Sequence, residues 1–209
     1  MTPRRLRARP RPRRRGIAAV ELALLLPILC LLLFGVIDAF RALQANIIMT
    51  NIGREGANLV TRGSTGVETG SQDIIYALMA SAPPLNVNLQ GMVYITRVMG
   101  VAGSSGTTSV VMDQYRWDDT VRKLGVNRSG YVPASRVYAG CSGWNNGACT
   151  TISSTSRPTV TTMSGKLRDG EVVVVVETFY KYDMMLTNFS IAGLALPTLG
   201  PNLYSMTIF

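Results

Sequence analysis

The chain of 209 residues has no histidine. Histidine is the one side chain that ordinarily titrates between pH 5 and 8, so neither a Ser–His nor a Cys–His pair can be built, and the usual general base is missing. Cysteine is scarce too. Cys30, Cys141 and Cys149 are the whole set, and without histidine they cannot complete a tetrahedral zinc site. No G-x-x-x-x-G-K-[ST] phosphate cradle occurs, and Gly100, Gly103 and Gly106 do not form a dinucleotide fingerprint. The 12 acidic residues are scattered, and Asp118 and Asp119 beside Arg116 read as a solvated turn rather than a catalytic pair. The expectation is a protein that is not an enzyme and that uses no metal and no cofactor.

What the chain does have is unevenly placed. Its net charge of +9 traces to eight arginines at positions 4, 5, 7, 9, 11, 13, 14 and 15, with no acid among them; the other 13 basic residues face 12 acidic ones. A nucleic-acid surface spreads its basic residues over a folded face, so no nucleic-acid partner is expected. Residues 17–37 follow, 21 positions whose only charge is Glu21. At 1.5 Å per residue they span about 31 Å, one hydrocarbon core. The arginines place the N-terminal end in the cytoplasm by the positive-inside rule, since the far flank carries only Asp38, Arg41, Arg54 and Glu55. The bulk of the chain is then expected on the opposite side. A secretory signal has a shorter apolar stretch with a small-x-small site after it; here any processing is expected before the apolar run. In an oxidising compartment Cys141 and Cys149, which bracket CSGWNNGAC, are expected to pair, while Cys30 packs within the membrane.

The helical signal continues past the membrane edge. Phe40, Leu43, Ile47, Ile48, Ile52, Leu59 and Val60 recur at spacings of three and four among Arg41, Gln44, Asn46, Asn51, Arg54 and Glu55. That pattern predicts one helix over 17–62 whose second half lies amphipathically on a globular domain. Pro27 removes a backbone hydrogen bond and predicts a local kink; Gly63, Ser64, Gly66 and Gly70 predict the helix end. Residues 73–82 read as a short helix stopped by Pro83 and Pro84. The period then changes, and 92–101 and 108–117 form β-rich runs joined by AGSSGT, a hairpin. Five consecutive valines in EVVVVVETFYKY (171–182) predict a central strand buried on both faces. Residues 203–209 predict a last strand. Residues 123–170 form a loop region rich in Gly, Ser, Thr and Asn; within it ten of the sixteen residues 150–165 are Ser or Thr, and that stretch reads as an exposed, variable insertion or, alternatively, a binding loop. The fold class is α+β: a long N-terminal transmembrane and amphipathic helix, then a β-sheet-rich exported domain over 63–209.

Glu21 is the informative residue. A carboxylate inside a membrane run costs about 2.5–3.5 kcal/mol unless it is paired; the bland reading is a carboxylate at headgroup level near the arginines. The arginines followed by Gly16, Ile17, Ala18, Ala19, Val20 and Glu21 and then the apolar run resemble the processing site of type IV pilin-like precursors. More closely, RRGIAAVELALLLPILCLLLFGVIDAFRAL and the patch Gly53-Arg54-Glu55-Gly56-Ala57-Asn58 are similar to the TadE-like pseudopilins of tight-adherence (Tad, or Flp) pili, as are, more loosely, QYRW at 114–117 and EVVVVVETFYKY. Leu22 stands where that family has an aromatic, and Asn58 where it has an arginine.

The resemblance implies a pilin-like helix and cleavage by a prepilin peptidase between Gly16 and Ile17, which removes the leader 1–16. It makes Glu21 the fifth residue of the mature chain, with a role in assembly. It further implies a minor pseudopilin that takes part in assembly, initiation or tip formation of an adherence pilus. Its partners would be the inner membrane, the peptidase and other Tad pseudopilins, with the domain in the periplasm or carried into a surface pilus. The alternative is an uncleaved, membrane-anchored periplasmic binding module that uses the Ser/Thr-rich loop.

Overall fold

The computed structural model describes residues 15–62, 71–103, 106–185, 190–191, 194–195 and 202–209. The basic leader 1–14, the predicted helix stop at 63–70 and the hairpin tip at 104–105 lie outside them. Over the described residues the chain is a long helix laid on an antiparallel sheet, the α+β class expected.

Helix α1 (Arg15–Arg62) has 48 residues and continues through Pro27; at 1.5 Å per residue it is about 72 Å long. Over 16–37 its apolar side chains point outward all round, with Leu24 70% and Leu29 67% exposed. A helix apolar on every side belongs in a packed core or a bilayer, and none of the described residues covers it.

The second half of α1 docks, but only partly by the predicted residues: Ile52 and Val60 are buried and Ile48 packs against the core. Phe40, Leu43 and Ile47 are 68%, 59% and 61% exposed, and Leu59 is also exposed. The buried stripe consists instead of Asp38, Ala42, Ala45, Met49, Gly53, Gly56 and Ala57, joined by Ile52 and Val60. The cause is close approach: a Cβ on Gly53 would lie 2.8 Å from Thr207 Oγ1, and one on Gly56 2.9 Å from Leu78 Cδ1. Small side chains let the helix backbone settle onto the sheet, so the larger apolar residues are left facing out.

Helices α2 (Ser71–Ala80) and α3 (Val87–Gln90) lead into strands β1 (Gly91–Gly103) and β2 (Gly106–Arg116), the predicted hairpin. Short elements follow: β3 (Asp118–Asp119), β4 (Leu124–Gly125), α4 (Val126–Ser129), β5 (Trp144–Asn145), β6 (Ala148–Cys149) and β7 (Thr159–Val160). Then come β8 (Val172–Lys181), the small pair β9 (Ser190–Ile191) and β10 (Leu194–Ala195), and β11 (Asn202–Ile208). The main sheet has seven strands in the order β11-β8-β1-β2-β6-β5, with β7 pairing the other end of the outer edge of β2. β8 is paired on both sides, and its valines fill both faces as expected: Val176 meets α1 across Gly56, while Val175 joins Val98 and Val111 on the opposite face.

Residues 150–165 are mostly exposed, as expected, but the segment is anchored: Val160 and Met163, with Val137 and Leu167, are buried against Val98, Val111 and Val175 on that opposite face. Ser109 Oγ donates to Met163 C=O at 2.8 Å, tying it down. The solvated turn at Asp118 and Asp119 is corrected. Both carboxylates are buried, Asp118 paired with Arg116 at 2.6 Å and Asp119 with Arg122 at 2.6 Å. Charge on each is compensated by a guanidinium, the condition for burying it.

Candidate functional site

At the N-terminal end of α1, Gly16, Ile17 and Glu21 are all exposed. Nothing lies within 4 Å of where a Cβ on Gly16 would stand. Ile17 and Glu21 are four residues apart, hence stacked on one helix face. No ion pair to Glu21 exists among the described residues. Pro27 and the free thiol of Cys30 follow within the same exposed stretch.

The point where α1 leaves its exposed half is built around Asp38, 1% exposed. The Met185 amide donates to Asp38 Oδ1 at 3.1 Å, and the Tyr182 hydroxyl donates to Asp38 C=O at 3.2 Å. The chain leaving β8 is thus fastened to the helix one residue beyond the apolar run. Higher up, Thr178 Oγ1 donates to Met49 C=O at 3.3 Å. These bonds set how the helix is carried by the domain. Asp38 stands in the sequence only as a flanking charge; the signal for its role would have been a lone acid on the Ala42, Ala45, Met49 face.

Cys141 and Cys149 form the expected disulfide. The loop they close is a β-hairpin: β5 and β6 pair through Asn145 and Ala148, and the turn is Asn146 (φ 45°) and Gly147 (φ 77°). Asn-Gly at the two central positions is what a hairpin turn with two positive φ values requires. A Cβ on Gly147 would lie 2.5 Å from Arg116 C=O, because the hairpin tip seats on the end of β2. Arg116 N–H donates to Gly147 C=O at 2.8 Å, and its guanidinium lies 4.4 Å from the Trp144 ring centre. The cysteine loop therefore extends the sheet edge. On the chain-entropy account a closed loop of this size is worth about 2–3 kcal/mol. Cys141→Ser with Cys149→Ser should lower the urea-unfolding free energy by about that amount, and alkylation of untreated protein should label neither thiol; labelling of both without reductant contradicts the bridge.

A buried polar cluster lies between the sheet and the segment 131–138. Glu177, 0% exposed, accepts from Ser135 Oγ–H, from the Arg136 amide at 2.8 Å and from the Tyr204 hydroxyl at 3.0 Å. Gln114 Nε2 donates to Ser135 Oγ at 3.1 Å and Tyr138 C=O at 2.9 Å, and the Tyr94 hydroxyl donates to Pro133 C=O at 2.7 Å. The Arg136 guanidinium caps this group 3.9 Å from the Tyr204 ring centre. Burial pushes the Tyr94 phenol from 10.0 up to about 12, and burial with the charge of Glu177 raises Tyr204 as well. A raised phenol pKa means that the fold prefers the neutral form. That stability is complete below pH 10 and is lost as pH rises from 10 towards 12. Melting temperature should accordingly fall steeply between pH 10 and 12, and Tyr94→Phe, at a cost of about 1 kcal/mol at neutral pH, should shallow the fall. Equal slopes for both proteins would show that Tyr94 does not contribute.

Of the residues singled out in the sequence, the structure joins Cys141 to Cys149. It places Gly16, Ile17, Glu21 and Pro27 on one helix, far from the sheet clusters. Among the described residues no group of three His, Cys, Asp or Glu could hold a metal. The family model described as TadE-like protein matches residues 16–58, which begin at Gly16 and end at Asn58, within α1. No curated protein and no solved structure matches the chain. The matched stretch holds both the exposed apolar half and the small-residue stripe that carries the sheet, and over residues 16–58 the chain is similar to TadE-like proteins.

Proposed function

We propose that this chain is a minor pseudopilin of a Tad pilus, made as a precursor, cut by a prepilin peptidase between Gly16 and Ile17, and used in pilus assembly, initiation or tip formation. The observation that carries the reading is the division of α1. One half is apolar all round and long enough to cross a bilayer; the other half is fastened to a folded domain by a stripe of alanine and glycine. Such a helix can pass from lipid into a bundle of like helices without refolding its domain. The N-terminus is then cytoplasmic and the sheet domain periplasmic, with other Tad pseudopilins as neighbours. The reading of an uncleaved binding module leaned on the Ser/Thr-rich loop, and Val160 and Met163 of that loop are core residues.

Cleavage would create a cationic α-amine on Ile17, one turn from Glu21. Pairing between this amine and Glu21 of the same or a neighbouring subunit offsets the cost of a carboxylate in an apolar setting only in the correct axial register. Glu21→Gln is expected to insert and to be cut at wild-type levels, yet to co-purify poorly with partner pseudopilins and to lower the number of surface pili. A variant that is cut, abundant and assembled like wild type would reduce Glu21 to an interfacial carboxylate.

A further inference from the structure

A cavity of about 270 Å³ opens beside α1 at the level of Arg41, lined among others by Gln44, Gln90, Tyr180, Tyr182 and Asp183. Its height along the helix is informative. The apolar run ends at Ile37, and Arg41 lies four residues on, about 6 Å along the axis. Headgroups add about 5–7 Å to each side of the hydrocarbon core, so Arg41 stands in the headgroup layer once residues 17–37 fill the core. On the outer side of the same turns Phe40 and Leu43 are exposed.

The charges within the cavity are of both signs and do not cancel. Among the described residues Arg41 makes no ion pair, while Asp183 accepts a hydrogen bond from Gln90 Nε2. The Gln90 amide is oriented for this by the Tyr180 hydroxyl, which donates to Gln90 Oε1 at 2.8 Å. A purely anionic ligand would meet the Asp183 carboxylate, and a purely cationic one the Arg41 guanidinium. A ligand with a phosphate and an ammonium on one short linker satisfies both: guanidinium suits phosphate through paired N–H donors, and a primary ammonium offers N–H donors to a carboxylate.

We infer that this cavity binds the phosphoethanolamine headgroup of a bilayer phospholipid, seating the base of the domain on the membrane. The inference rests on the anchoring role of α1. A choline headgroup offers Asp183 no N–H donor, and a glycerol headgroup no positive charge, so the site selects phosphatidylethanolamine over both.

The test uses the full chain in detergent, stripped of lipid, with short-chain phosphatidylethanolamine, phosphatidylglycerol, phosphatidylcholine and free phosphoethanolamine titrated in native mass spectrometry. One phosphatidylethanolamine should be retained about tenfold more tightly than the other two lipids; Asp183→Asn should erase about that factor of preference, and Arg41→Gln, which removes the phosphate contact, should weaken retention of all three lipids by about as much. Asp183→Lys should reverse the preference in favour of phosphatidylglycerol, an outcome that a merely structural Asp183 would not produce. Equal retention of all three lipids, or unchanged retention in the variants, overturns the site; free phosphoethanolamine bound as tightly as the lipid overturns the membrane as its source. Flotation with vesicles separates the two levels. A wild-type chain that co-floats without headgroup preference defeats this inference alone, whereas one that does not co-float defeats the anchoring role as well.

Discussion

Replacing Gly16 by leucine or phenylalanine is expected to abolish removal of the leader, leaving a chain heavier by residues 1–16. The expectation is clean because position 16 is structurally empty: a Cβ there meets nothing within 4 Å, and both residues suit a helix. Loss of cutting would therefore report recognition by the peptidase rather than misfolding. Gly16→Ala, the smallest change, should retain part of the cleavage. If the leucine variant is trimmed at the wild-type rate, the glycine is not what the peptidase reads, and the assignment of the cut to the Gly16–Ile17 bond fails.

Glu177→Ala should produce the largest loss of stability in the domain. Glu177 is fully buried, and its removal leaves the Ser135 hydroxyl, the Arg136 amide and the Tyr204 hydroxyl without the acceptor they share. Each unsatisfied buried donor costs about 1–3 kcal/mol, and deleting the side chain adds a cavity, so about 3 kcal/mol or more is expected. For a domain of this size that is a fall of about 6–12 °C in melting temperature. Glu177→Gln keeps the shape and one acceptor oxygen and should cost less than half as much. The measurement is near-ultraviolet circular dichroism against temperature, followed in Tyr and Trp signals. A melting point for Glu177→Ala within 2 °C of wild type would mean that water satisfies those donors and that the cluster does not hold segment 131–138 to the sheet.

The parts of the fold that were legible in the sequence are those governed by one strong local signal. The long apolar run, the five valines before Glu177 and the glycine-rich breaks define α1, β8 and the β1–β2 hairpin almost to the residue. The docking face of α1 was legible only in part, through Ile48, Ile52 and Val60, because periodicity ranks residues by hydrophobicity while much of the docking ranked them by size. Phe40, Leu43 and Ile47 made the stronger stripe in sequence, yet Ala42, Ala45 and Gly53 let the backbone approach Thr207 and the sheet. Val160 and Met163 could not be recognised as core either, since isolated apolar residues in a Ser/Thr-rich stretch carry no period. Asp118 and Asp119 looked solvated because Arg122 gains its meaning only when β3 and β4 pair.

Asn146-Gly147 is a hairpin turn by its own chemistry, and it accounts for the cysteine loop as a strand pair at the sheet edge. Glu177 follows five valines much as Glu21 sits among Val20 and Leu22, and the same reasoning about an acid in an apolar run applies to both. In the sheet the acid is satisfied within its own domain; in the helix, over the described residues, it is not. That contrast is the reason Glu21 is read as awaiting a partner from outside the folded domain.

The N-terminus of the wild-type chain distinguishes a processed pseudopilin from an uncleaved membrane anchor most directly. Intact mass of membrane-extracted protein, with the disulfide in place, should correspond to a chain that begins at Ile17 and lacks residues 1–16. A mature species that retains Met1 or any of the arginine leader would contradict that processing.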